Sequence, residues 1–80
     1  MISVAEDNEF SVIVADIIET IAKVEKFDLL VWVNGSEIAY EFDQHCNFHF
    51  MQEGFRVVRD NLIDYIFYDN ITTLRVIYEC

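Results

Sequence analysis

Asp43-Gln44-His45-Cys46-Asn47-Phe48-His49 gathers both histidines of the chain, one of its two cysteines and a carboxylate in one short segment. These are the ligand types of zinc and copper sites. On a helix His45 and His49 would lie one turn apart on one face and chelate. On a strand they share a face but stand about 13 Å apart, at ~3.3 Å per residue, too far to grip one ion. The Asn47-Phe48-His49-Phe50 alternation reads as extended, so no metal site is expected here. Cys46 and His49 also supply the composition of a thiol nucleophile with its base, but no catalytic pattern surrounds them. The chain has no glycine-rich phosphate loop, no Gly-x-Ser-x-Gly and no His-Glu-x-x-His, and the expectation is a protein without cofactor or enzymatic activity.

Charge is the stronger signal. The 80 residues carry 15 Asp and Glu against 5 Lys and Arg, a formal net charge of −10, yet 54% of them are hydrophobic. Acidic disordered tails lack large apolar residues, whereas this chain has seven Phe, four Tyr and one Trp, so it folds. Such a body repels nucleic acid and anionic membranes and attracts basic surfaces. Arg56, Arg59 and Arg75 are too few to neutralise a phosphate backbone, and Arg56 and Arg59 are expected to pair with Asp60, Asp64 or Glu53. The first residues, Met1 to Asp7, show no basic segment followed by an apolar one, and the run Leu29 to Val33 is far too short to span a bilayer. A cytoplasmic protein with Cys46 and Cys80 as free thiols is expected.

One domain fits this length, and no linker, repeat or biased segment divides it. From Phe10 to Lys26 the apolar residues Phe10, Ile13, Val14, Ile17, Ile21 and Val24 recur at helical spacing, with Asp16, Glu19, Lys23 and Lys26 opposite. Ser3 with Glu6 forms a candidate capping box, and Asp7 and Asn8 compete as caps. A β-hairpin is predicted over 29–42, with Asn34-Gly35 as a type I′ turn that sets Val33 against Ser36 and Asp28 against Glu41. Leu29, Val31, Ile38, Tyr40 and Phe42 then face the core, while Leu30, Trp32, Glu37, Ala39, Glu41 and Asp43 share the other face. Further strands are expected near 47–51, 55–59, 62–68 and 71–79, with turns at Asp60-Asn61 and Asp69-Asn70; a second helix near 52–67 is the alternative. Both give an α+β domain with an N-terminal helix packed on a mostly antiparallel sheet.

On that framework Asp28, Trp32, Glu37, Glu41 and Asp43 form the predicted partner-binding face. Same-face carboxylates on a strand repeat every ~6.8 Å, about two nucleotide rises, so they imitate a phosphate row. Asp60, Asp64 and Asp69 form a second acidic patch. In charge and size, with no motif shared, the chain resembles the nucleic-acid mimics that phages and mobile elements direct against nucleases, restriction enzymes or CRISPR effectors. Immunity proteins that neutralise basic toxins share that profile. The resemblance implies a stoichiometric inhibitor that occupies the basic surface of a nucleic-acid-binding protein. The alternatives are a homodimeric structural module joined through Trp32, Leu30 and the C-terminal strands, and, more remotely, a metal- or thiol-dependent enzyme.

Overall fold

The structure is a computed structural model that describes residues 1–5 and 10–79. Its elements run β1 (Ile2–Val4), α1 (Val12–Lys23), β2 (Phe27–Val33), β3 (Tyr40–Asp43), β4 (Asn47–Phe50), β5 (Gly54–Arg59), β6 (Leu62–Phe67), a 3-10 turn (Tyr68–Asn70) and β7 (Ile71–Tyr78). The α+β class stands, and the region 52–67 forms strands, as its β-branched and aromatic residues favour. The strands divide into two sheets, one of four strands in the order β1-β4-β5-β6 and one of three in the order β3-β2-β7. Every pairing is antiparallel except that of β1 with β4.

Helix α1 is shorter than the apolar periodicity predicts. Ser11 caps it, its hydroxyl accepting from the Val14 amide at 3.3 Å. Ser3 lies in β1 and therefore caps nothing, while Glu6, Asp7 and Asn8 fall outside the described residues. The helix stops at Lys23 because Val24 is already extended, at φ −102° and ψ 150°. Val14 and Ile21 are buried and Ile17 and Ile18 pack beside them, which stabilises a helix too short to persist alone. Ile13, placed on the apolar stripe by spacing, is exposed. On the polar face the Lys23 ammonium meets the Glu19 carboxylate at 2.6 Å. This contact lowers the Glu19 pKa and raises that of Lys23.

The inward faces of the two sheets meet in one core. Leu29, Val31 and Phe42 come from the three-stranded sheet, and Phe48, Phe50, Phe55, Val57 and Ile66 from the other. Phe42 joins them: its ring stands edge-on to Phe48 at 6.1 Å and to Phe55 at 6.5 Å, a favourable arrangement of ring quadrupoles. The chain crosses between sheets at the 3-10 turn, where the Tyr68 hydroxyl donates to the Met51 carbonyl at 2.8 Å. Partial burial of this phenol raises its pKa from 10.0 to about 12.

The predicted 29–42 hairpin closes differently. Only Gly35 has positive φ, +80°, and the Ser36 amide donates to the Val33 carbonyl at 3.2 Å. That is the φ pattern of a type II turn, whose twist splays the strands instead of pairing them. Pairing resumes at Tyr40, with Val31 opposite Tyr40 and Leu29 opposite Phe42. The register is shifted by two residues, so the faces keep their identity but Ile38 leaves the core and is 81% exposed. Tyr40 is exposed as well. The tight two-residue connection lies instead at Asp60-Asn61, between β5 and β6, with Asp60 at φ 48°. β6 ends the run of hairpins, because β7 pairs with β2.

Candidate functional site: an acidic sheet face

Alternation along β2 and β3 sends Leu29, Val31 and Phe42 inward and therefore Asp28, Leu30, Trp32, Glu41 and Asp43 outward. The shifted register places Asp28 directly across from Asp43, and Leu30 across from Glu41. Opposed side chains on one face stand about 4.5–5.5 Å apart at Cβ, so two like charges here destabilise the sheet. No ion pair offsets them: Lys23–Glu19 is the only one among the described residues. Of the predicted partner-binding residues, Asp28, Trp32, Glu41 and Asp43 thus share one face. Glu37 does not join them, because the longer connection leaves it exposed in the 34–39 loop. The expected carboxylate row shrinks to Glu41 and Asp43 on β3 with Asp28 beside them.

β7 completes the face in a way that the local sequence does not reveal. Its pairing with β2 sets Arg75 beside Leu30 and Thr73 beside Trp32. The Arg75 guanidinium stacks over the half-buried Trp32 ring at 5.3 Å, a cation–π contact. Trp32 is therefore not the bare aromatic that its acidic neighbours suggest. β7 also carries Glu79 to the end of the sheet, where it lines a shallow depression of about 300 Å³ with Asp28, Asp43, His45 and Lys26. Three carboxylates converge there. Asp43 is held by the turn that follows it, its Oδ1 accepting from the His45 amide at 2.9 Å.

The other cationic and chemical candidates are dispersed. Arg59 donates to the Glu41 backbone carbonyl at 3.1 Å and covers the Phe42 ring at 5.6 Å, so the expected pairing with Asp60, Asp64 or Glu53 is replaced by an aromatic and a carbonyl partner. Arg56, expected to do the same, has no ion-pair partner among the described residues, and its Nε is buried without a hydrogen bond. His45 sits in the β3–β4 turn, exposed, and His49 on β4, where its Nδ1 meets the Ser3 hydroxyl at 2.6 Å. Cys46 is a buried free thiol directed at Asp43 Oδ1, 3.8 Å away; Cys80 lies outside the described residues. Cys46 and His49 thus engage different partners.

The second acidic patch comes apart. Asp60 occupies the β5–β6 turn, Asp69 the 3-10 turn at the opposite end of β6, and Asp64 the inward parity of β6, across from Val57. No helix among the described residues is long and apolar enough to cross a membrane. Comparison with protein-family models, with curated proteins and with solved structures finds no match, so what this face does has to be argued from its own geometry.

Proposed function

We propose that the outer face of the three-stranded sheet binds a cationic surface of another protein, and that the chain acts as a small non-enzymatic inhibitor that takes the place of nucleic acid there. The observation that supports this most is Asp28 opposite Asp43 with Glu41 alongside, a like-charge cluster that no ion pair among the described residues offsets. In the isolated protein it costs stability; an arriving Arg or Lys relieves the repulsion. The depression shared with Glu79 is of a size to take one basic side chain. Leu30 and Trp32 supply apolar area beside it, with the Arg75 guanidinium over the indole at 5.3 Å. The net charge of −10 adds long-range attraction toward a basic partner. In this reading the protein works in the cytoplasm, where Cys46 stays a thiol.

Affinity capture tests it. Wild-type protein and the double variant Asp28→Lys with Glu41→Lys serve as baits in lysate of the native source, at low and at moderate salt. The expected result is a partner held by wild type alone, released by salt and displaced by duplex DNA. Equal capture by both baits, or a partner that DNA does not displace, contradicts the mimic.

A further inference from the structure

The turn between β2 and the 34–39 loop brings together an amide side chain and a backbone nitrogen that can react with it. Asn34 and Gly35 are both exposed. Gly35 sets no side chain beside its own nitrogen, and the space around it is open: a Cβ there would meet no atom within 4 Å. Its amide donates to no backbone acceptor among the described residues. Attack by that nitrogen on the Asn34 side-chain carbonyl carbon, Cγ, needs rotation about the Asn34 Cα–C bond. One turn hydrogen bond resists the rotation, from the Ser36 amide to the Val33 carbonyl at 3.2 Å, at the long end of the usual range. The Asn34 amide, tied to the Asn70 carbonyl at 2.8 Å, lies on the other side of the rotating bond and leaves it free.

The other described asparagines are exposed too, but their surroundings differ. Asn47, Asn61 and Asn70 precede Phe48, Leu62 and Ile71, whose bulk hinders approach of the backbone nitrogen. Those nitrogens are also held. The Phe48 amide donates to the Met1 carbonyl at 2.8 Å and the Ile71 amide to the Tyr68 carbonyl, while Leu62 is fixed in β6 opposite Arg59.

We propose that Asn34 is a self-modification site, at which the Gly35 nitrogen closes a succinimide ring and water opens it to isoaspartate or aspartate. In the closure the bond from the Gly35 nitrogen to Asn34 Cγ forms as the Cγ–Nδ2 bond breaks. The Gly35 proton leaves with the side-chain nitrogen as ammonia. Water then adds to one of the two ring carbonyls. Opening at Cγ gives aspartate; opening at the former backbone carbonyl gives isoaspartate, with the chain rerouted through the side chain. Nothing is oxidised or reduced, and water is the one co-reactant. Either product adds a negative charge to a net charge of −10 and places it in the loop that carries Glu37. Isoaspartate also lengthens the connection between β2 and β3 by one chain carbon.

Peptide mapping by mass spectrometry, on protein aged in mildly alkaline buffer at physiological temperature, reads the change at each asparagine. The expected result is conversion at Asn34 ahead of Asn47, Asn61 and Asn70, at a rate in the native protein comparable with that of the urea-unfolded chain. Hydroxylamine, which cleaves the ring, should cut the chain between Asn34 and Gly35. Asn34→Gln, whose longer side chain closes a ring poorly, should abolish both signals, and Gly35→Ala should slow both by setting a methyl group beside the attacking nitrogen. Far-UV circular dichroism checks that each variant keeps the fold. An Asn34 that stays intact in the native protein while the unfolded chain converts, conversion led by another asparagine, or a hydroxylamine cut that persists in Asn34→Gln overturns the proposal.

Discussion

The two outer sheet faces share one core and one chain, yet they solve the problem of exposed strand surface in opposite ways. On the three-stranded sheet Asp28, Glu41 and Asp43 crowd together with Trp32 folded beneath Arg75. On the four-stranded sheet the outward residues are neutral or cationic, and the aromatic and β-branched side chains of β6 stand bare. On the proposed reading, attraction of the acidic face to a basic partner weakens as ionic strength rises.

Phe42 offers the most severe way to break the comparison. Its ring ties the three-stranded sheet to Phe48 and Phe55 of the other, and Phe42→Ala is expected to cost about 3–5 kcal/mol in urea denaturation. In a domain whose whole stability is roughly 5–10 kcal/mol, both faces then lose their frame together. Asp28→Lys with Glu41→Lys separates the faces. We expect affinity for a cationic partner to drop on the order of 100-fold at low salt, measured by calorimetry, with the far-UV circular dichroism of the fold retained.

Tyr68 tests how firmly the crossover holds the sheets in register. Tyr68→Phe removes the hydrogen bond to Met51 and is expected to cost about 1 kcal/mol at neutral pH. The raised pKa adds a sign: the folded state holds the phenol proton more tightly than the unfolded chain. Its contribution to stability is complete below pH 10.0 and is lost as pH rises through about 12. Wild type should therefore lose more stability than Tyr68→Phe across that alkaline window in pH-dependent urea melts. The smallest effect has the opposite direction. Asp28→Asn relieves the repulsion with Asp43 and is expected to stabilise the isolated protein by about 0.5 kcal/mol while weakening cation binding. A substitution that stabilises and disables at once marks a site kept for function.

Local pattern told much of this. The α1 stripe, the four C-terminal strands and the side of the sheet on which Asp28, Trp32, Glu41 and Asp43 lie all follow from apolar periodicity, which survives a two-residue register shift. What stayed hidden is non-local. Nothing in Ile71–Tyr78 announces that it pairs with β2 and not with β6, so the Arg75 cover on Trp32 and the arrival of Glu79 beside Asp28 were not legible. β1 is three residues long and pairs parallel to β4, too short for alternation to register. Glu37 falls in the loop because Asn34-Gly35, a pair that favours a type I′ turn, has positive φ only at Gly35 here, and the backbone at Asn34 that separates a type II from a type I′ turn is not fixed by the residue type. That β6 ends its sheet is equally non-local, because an alternating apolar strand looks the same whether or not a neighbour covers it.

The central claim, that a cation settles first on the acidic face of the three-stranded sheet, can be mapped residue by residue. Titration of the isotopically labelled protein with an oligoarginine peptide, followed by backbone amide NMR at low and moderate salt, reports where a cation first settles. The expected result is early and salt-sensitive movement of Asp28, Leu30, Trp32, Glu41, Asp43 and Glu79, with His49, Arg56 and Tyr65 unmoved. Uniform shifts at every exposed acid, with Asp16, Asp60 and Asp69 responding as strongly as Asp28 and Asp43, would contradict it and leave the acidic face as ordinary solvated surface.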